Sequence, residues 1–294
     1  MRILKWMISQ FFSIIFTILV LILIISAIIF FITHFSKREF SISSKKELIG
    51  VIKLTGVIRR SDNFIKNLKD FVKNDKIKGI IISINSPGGA VVPSQEIYRE
   101  ILKLRSKKPI IAYIKSVGAS GAYYIASACN KIFANPGSIT GSIGVIAEFT
   151  NIQELLGKIG IKSITIKSGK FKDIGNPARE MTDEEKQYLK NLIMNIYNQF
   201  LSDVAKARNI PVEKLKKIAD GRVFTGVQAL NYKLIDRLGN FDDVVQYLKK
   251  VCKIKGEPEI VYPSQKFSII NEITDKIYNF ILTKNHLKIM FLSE

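Results

Sequence analysis

The residues able to do chemistry fall in three short segments. In Gly118-Ala-Ser-Gly-Ala-Tyr-Tyr124 a serine stands where an apolar strand gives way to a helix. A serine there exposes its hydroxyl at the helix N-terminus, where the dipole and the free first-turn N–H groups favour developing negative charge. The plain alternative is that Ser120 is an N-cap, as most serines at such junctions are. In Asn85-Ser-Pro-Gly-Gly89 two adjacent glycines follow a β-branched run, so backbone N–H groups can turn toward a ligand with no side chain in the way. Paired donors of that kind make an oxyanion hole, although a lone Pro-Gly-Gly is first of all a tight turn. The third segment, Ser168-Gly-Lys-Phe-Lys-Asp173, carries lysines. A lysine serves as base only when neutral, and an amine of pKa about 10.4 is neutral to about 0.1% near pH 7.4. Burial that lowers it by about three units costs roughly 4 kcal/mol and leaves most of it neutral. The residues alone do not choose among Lys172, Lys170, Lys167 and Lys115, and any one of them is ordinarily a solvated charge.

Scarcity narrows the chemistry further. His34 and His286 are the two histidines, one at the end of an apolar run and the other near the C-terminus. The G-x-S-x-G elbow of α/β hydrolases fits residues 118–122 apart from Ala122 in the last position, but its triad would need His286. A histidine triad and an HExxH zinc site are therefore set aside. Cys129 and Cys252 are far apart and in no metal-like spacing, which excludes a disulfide framework and a zinc ribbon. Two buried free thiols are the favoured reading, a single bridge the alternative. The sequence holds no P-loop and no ligand cluster, so neither metal nor cofactor is expected. Lys and Arg number 45 against 25 Asp and Glu, a balance of +20, which favours anionic lipid or nucleic acid. The lysines are scattered and no nucleic-acid-binding motif occurs, so no nucleic-acid partner is expected.

Hydrophobic patterning supplies the elements that must carry these segments. With 47% hydrophobic and 24% charged residues the 294-residue chain has a globular composition, which rules out a collagen-like or wholly disordered one. Leu48–Thr55, Gly79–Ile84, Pro109–Ile114, Lys131–Ala134 and Ile143–Ala147 read as strands. Ser61–Val72, Ser94–Leu104 and Gly121–Ala128 read as helices, with Phe64, Leu68 and Phe71 on one face of the first. Thr182-Asp-Glu-Glu185 is a capping box opening a long helix. Leu189, Leu192, Ile193, Ile196, Phe200 and Val204 follow at 3.6-residue spacing, and Pro211 ends the pattern. Strand and helix alternate, so the fold class is α/β, a single domain over 48–294. Ile269, Ile273, Ile277 and Phe280 give its tail helical spacing, with packing on the domain as the default. Ahead of the domain, no charge falls between Lys5 and Lys37, and Phe11 to Ile32 is almost wholly apolar. A membrane-crossing helix needs about 20 such residues, and a cleavable signal peptide has a shorter run. Residues 1–36 therefore read as an uncleaved transmembrane anchor and 37–47 as a polar linker. Arg2 and Lys5 before the span, and Lys37, Arg38, Lys45 and Lys46 after it, leave the orientation open.

Taken together, the segments resemble the SppA-type signal peptide peptidases, membrane-anchored Ser–Lys proteases with a ClpP/crotonase-like fold. The matching stretches are NSPGGAVVPSQEIYREI (85–101), SVGASGAYYIASACNKIFANPGSITGSIGVI (116–146), SGKFKDIGNPAREMTDEEK (168–186) and DGRVFTGVQAL (220–230). They fall in order over most of residues 48–245, with the anchor in its expected place. The resemblance implies Ser120 as nucleophile, Lys172 as general base and Ser142 as the hydroxyl that positions the lysine amine. It implies an oxyanion hole from Gly89 and the N–H of Gly121. It further implies hydrophobic peptide substrates, such as signal peptides left in the lipid bilayer. The protein would be a ring- or dome-shaped homo-oligomer, an octamer, in which Ser120 and Lys172 meet across neighbouring subunits. Its catalytic domain would face the extracytoplasmic side of a bacterial cytoplasmic membrane. Two positions depart from the family pattern: Ala122, where a second Gly usually follows Ser-Gly, and Lys233, where a Gly usually precedes Leu234-Ile-Asp236. If position 233 needs φ > 0, lysine costs about 1 kcal/mol there. Two rival readings are a related membrane protease acting on a specific protein such as a stomatin-like partner, and a non-catalytic basic scaffold at a membrane surface. Intact Ser120, Ser142 and Lys172 argue against the scaffold.

Overall fold

The computed structural model describes residues 6, 15–24, 26, 46–263 and 288–291. The chain divides into two units, Met1–Lys45 and Lys46–Glu294. In the first, residues 15–24 are helical with exposed side chains; most of the rest of the expected span at 11–32 lies outside the described residues. Among the described residues no helix is long and apolar enough to cross a membrane. His34, His286 and the stripe from Ile269 to Phe280 also lie outside them.

The second unit runs β1 (Leu48–Thr55), α1 (Asp62–Lys73), β2 (Ile77–Ser86), β3 (Gly89–Ala90), α2 (Val91–Leu104), β4 (Ile110–Ala119) and α3 (Gly121–Ser127). It continues through β5 (Lys131–Ala134), β6 (Ile139–Gly141), β7 (Ile146–Glu148), α4 (Gln153–Lys158), α5 (Asp183–Arg208) and α6 (Val212–Lys216). Then follow β8 (Val223–Thr225), α7 (Gly226–Asn231), β9 (Arg237–Leu238), α8 (Phe241–Val251), β10 (Glu259–Val261) and β11 (Lys288–Phe291). The central sheet has the order β10-β1-β2-β4-β5-β9, with every neighbouring pair parallel. This is a mixed α/β fold, consistent with the ClpP-like expectation.

Parallel strands joined by helices are covered on both faces, which is why β2 is a near-continuous isoleucine run. Ile80, Ile81, Ile82 and Ile84 are all fully buried. On one face Ile49, Val51, Ile81, Ile111, Tyr113 and Phe133 pack with Val244 and Leu248 of α8. Phe64, Leu68 and Phe71 of α1 are buried, as their spacing predicts.

β4 carries the site. Its first half pairs with β5 and its second half, Val117–Ala119, pairs with β6. That second partner is why β4 runs on past Ile114. The strand expected at Ile143–Ala147 is displaced to β7. Ser142 takes φ 51°; its N–H donates to the Arg222 carbonyl, and the Ile143 carbonyl accepts from Gly221. These groups bond to the loop before β8 instead of a ladder, so Ile143 is buried without being in a strand. The capping box forms: Thr182 Oγ1 accepts from the Glu185 N–H, and the Glu185 carboxylate accepts from the Thr182 N–H. Of the predicted stripe on α5, Phe200 and Val204 are buried, whereas the first turns stand largely exposed. Lys233 does adopt positive φ, 60°. Both cysteines are free, Cys129 buried and Cys252 only half-buried, which corrects the expectation of two buried thiols. The Cys252 Sγ donates to the Lys78 carbonyl at 3.3 Å and packs against the core beside α8. A second, antiparallel sheet has the order β3-β11-β7, with Phe291 opposite Gly89 and Met290 opposite both Ala90 and Ile146. The sequence predicts no element at 288–291.

Candidate active site

Ser120 is the residue at which β4 becomes α3, with φ 54° and ψ −124°. A non-glycine residue in so sparse a region costs about 1–3 kcal/mol and persists only where its surroundings impose it. Here the Ser120 N–H donates to the Gly141 carbonyl at 2.8 Å, one residue beyond the Ala119–Gly141 pairing of β4 with β6. The side chain makes no capping hydrogen bond to α3, so the N-cap alternative falls away. The hydroxyl is not in the open, as its place at a helix start suggested: Ser120 is 1% exposed. Its Oγ is buried without a hydrogen-bond partner. Orphaned buried hydroxyls are rare, since each costs about 1–3 kcal/mol. Strain and an orphaned oxygen on one serine point to chemistry rather than to folding.

Ser142 follows Gly141 directly, so Ser120 and Ser142 leave paired parallel strands side by side, each with positive φ. On the opposite flank stands Gly89. A Cβ on Gly121 would lie 3.4 Å from the Gly89 nitrogen and 2.5 Å from Ser94 Oγ. Ser94 is fully buried and donates to the Ala90 carbonyl at 2.9 Å. Gly89 is itself clasped by Ile58: the Ile58 N–H donates to Gly88 at 2.8 Å and the Ile58 carbonyl accepts from Ala90 at 2.7 Å. Any Cβ on Gly89 would overlap that carbonyl oxygen. The Pro-Gly-Gly is therefore a pinned strand edge as well as a turn. The Gly121 N–H belongs to the first turn of α3, whose donors have no intrahelical acceptor. The fold thus gathers Ser120, Ser142, Gly89 and Gly121 at the C-terminal ends of β2, β4 and β6, the end at which open parallel sheets bind ligands.

Among the described residues no hydrogen bond joins Lys172 to that cluster. It is exposed, and among the described residues the Ser120 hydroxyl has no hydrogen-bond partner. Its neighbours are engaged: Lys167 pairs with Asp173 and Lys170 with Glu184, each at 2.5 Å. Among the described residues Lys172 forms no ion pair. Lys115 is exposed on β4. Leading into the Lys172 turn, Leu155, Ile159, Ile161, Ile164 and Ile166 are uncovered, Ile164 at 86% and Ile166 at 96% exposure. So many uncovered apolar side chains close together in sequence are uncommon on a surface that meets only water.

Sequence reasoning missed the support beneath Ser120. Tyr124 of α3 stacks on Tyr98 at 4.4 Å and meets Phe200 edge-on at 4.8 Å. Its hydroxyl donates to the Asp203 carboxylate, and the Tyr98 hydroxyl donates to the Asp203 carbonyl at 3.0 Å. Burial first, then the Asp203 bond, push the Tyr124 phenol far above its usual range, so it acts as a fixed donor. The helix that starts at Ser120 is thereby tied to α2 and α5. In the sequence, Phe200 showed as a member of the α5 stripe, and nothing tied it to Tyr98, Tyr124 or Asp203. Among the described residues no group of three or more His, Cys, Asp or Glu is placed to hold a metal ion.

Comparison with known proteins adds the lineage. Residues 103–255 match the family described as Peptidase family S49. A candidate protease of Synechocystis sp. is 45% identical over 210 residues, which are 71% of this chain and 75% of that protein. A candidate signal peptide peptidase SppA of Enterococcus faecium is 38% identical over 201 residues, 68% of this chain and 58% of its own. The chloroplastic serine protease SPPA of Arabidopsis thaliana is 32% identical over 232 residues, covering 74% of this chain but 34% of that one.

Proposed function

The chain belongs to peptidase family S49 and is a serine endopeptidase, and from that premise we propose that Ser120 and Lys172 form a dyad that cuts hydrophobic peptides at a membrane. The observation that carries the proposal is Ser120 itself, forced to positive φ, buried, and left with an unpartnered hydroxyl beside two glycine amides. Its Oγ attacks the scissile carbonyl while the neutral Lys172 amine takes its proton and hands it to the leaving amine. The Gly89 and Gly121 N–H groups hold the oxyanion, and the Ser142 hydroxyl positions the lysine. Water, activated by the same base, releases the acyl-enzyme.

Lys172 comes from a neighbouring subunit in this reading. Its exposure, the orphaned Ser120 and the uncovered apolar run on the same segment support a ring- or dome-shaped homo-oligomer in which one copy's segment covers the next copy's serine. The substrate binds as an added strand: β11 already lies antiparallel between β3 and β7 with Phe291 opposite Gly89, which supports a slot built for extended peptide. The membrane anchor rests on the uncharged run at 11–32, and the extracytoplasmic placement and the signal-peptide substrates rest on the resemblance.

The test is hydrolysis of an apolar signal-peptide-like peptide and a polar control by the full chain in detergent, beside Ser120→Ala and Lys172→Ala. Wild type is expected to prefer the apolar peptide, and both variants to be inert. Co-assembled Ser120→Ala and Lys172→Ala subunits are expected to regain part of the activity, because some interfaces then pair an intact serine with an intact lysine. Full activity in Lys172→Ala overturns the dyad, and no recovery in mixed assemblies overturns the shared site.

A further inference from the structure

We propose that Arg179 is the positioning residue for the Lys172 base, an inference that rests on the dyad above. The main-chain bonds of the turn that holds Lys172 are all local: its own N–H donates to Gly169 at 3.1 Å, Ile174 to Phe171 at 3.2 Å, and Asn176 to Asp173 at 3.0 Å. Such a turn does not by itself fix a side chain to the sub-ångström tolerance that proton transfer from a serine demands.

Arg179 supplies what the turn lacks. Its Nε donates to Asp173 Oδ2 at 2.8 Å, and its Nη2 donates to the Asp173 main-chain carbonyl at 3.2 Å. On its other edge, Nη2 donates to Glu185 Oε1 at 2.5 Å and Nη1 to Glu185 Oε2 at 2.8 Å. Nη1 also donates to the Glu180 carbonyl at 2.9 Å. The guanidinium therefore grips the residue immediately after Lys172 by both side chain and main chain. It ties that residue to Glu185, which is 3% exposed and locked in the capping box of α5. The far end of the tether is the first turn of a 26-residue helix, a rigid base. Lysine at 179 could satisfy one carboxylate but not the whole fork, because an ammonium is a point donor and not a planar one. A second tether flanks the base: Phe171 stacks on Tyr188 of α5 at 5.0 Å. Lys167 completes the charge balance, so two carboxylates face two cations and the network is neutral.

The reaction to follow is labelling of Ser120 by a small fluorophosphonate, a probe that reports the base without filling the peptide slot, using the full chain in detergent. Arg179→Ala is expected to slow labelling by up to about 100-fold, the cost of displacing a catalytic group by about 1 Å. Arg179→Lys should fall between that and wild type. In a Lys172→Ala background the same substitution should change the rate by less than about 2-fold, since the group it positions is gone. Wild-type labelling of Arg179→Ala, or losses that multiply in the double variant, overturns the proposal. Should Arg179→Ala fail to assemble, Arg179→Lys and Glu185→Gln make the same comparison; loss of assembly in all of them makes Arg179 a folding residue and also overturns it. Wild-type labelling of Lys172→Ala is a separate failure, that of the dyad, and is read with Arg179 intact.

Discussion

Gly89→Ala puts a methyl group where the chain has no room. The new Cβ would lie 2.5 Å from the Ile58 nitrogen and 2.8 Å from its carbonyl carbon, and would overlap the oxygen. Carbon atoms rest at about 3.5–4.0 Å from their neighbours, so β3 must retreat by about 1 Å, because backbone cannot swing aside as a side chain can. The residue that retreats carries one of the two N–H groups assigned to the oxyanion. Losing one such donor costs about 100- to 1,000-fold in kcat, and a misplacement of about 1 Å costs on the order of 100-fold. A fall of that size in kcat is expected, with KM little changed. Stability should fall by about 1–3 kcal/mol, or about 2–4 °C in Tm for each kcal/mol in a domain of this size. Gly121→Ala is the control: its obstacle is Ser94 Oγ at 2.5 Å, a side-chain atom. The double variant Gly121→Ala/Ser94→Ala should therefore recover much of what Gly121→Ala loses, whereas Ser94→Ala should do nothing for Gly89→Ala. Steady-state hydrolysis of an apolar peptide and thermal unfolding of the same preparations decide it. A folded Gly89→Ala enzyme that turns over within about threefold of wild type would refute the oxyanion role.

Three further outcomes are expected. Lys233→Gly should raise Tm by about 2–4 °C by relieving about 1 kcal/mol of left-handed strain, the residue having φ 60°, and should leave hydrolysis unchanged; a lower Tm sinks this. Removing residues 288–294 takes away β11 and frees the β3 and β7 edges, so kcat/KM for short extended peptides should rise, and unaltered kinetics would show that the strand does not contest the slot. The Arg179 bonds, then the Thr182 backbone bond, hold the Glu185 carboxyl at about 2 against an ordinary 4.5. A depressed carboxyl contributes stability above its unfolded value and loses it as pH falls through the folded one. The Tm gap between wild type and Glu185→Gln should thus be constant above about pH 5 and close between about pH 4.5 and 2; a gap that widens on acidification contradicts the network.

Much of the fold is short-range and was therefore legible. β1 and β5 lie where their apolar runs begin and end, because a buried parallel strand is a β-branched run closed by turn residues. The capping box of α5 is likewise a conversation between residues three apart. The same locality brought Ser120, Gly89 and the lysine segment to attention, and the motif order linked them to a family of Ser–Lys proteases. Other features answer to partners far along the chain. Ile143 looked like a strand residue, yet its carbonyl bonds to Gly221. Lys167, Lys170 and Lys172 were equivalent until Asp173 and Glu184 claimed the first two. β11, four residues long, shows no pattern of its own and is a strand because β3 and β7 offer it two edges. Ser120 reads as an ordinary helix cap; only β6 on one side and Gly89 on the other make it strained, buried and unpartnered. Periodicity and caps are energies among residues within a turn or two of each other, and the amino-acid order states them outright. Burial, strain and the company a polar atom keeps depend on which distant backbone arrives beside it, and that is settled only when the sheet closes.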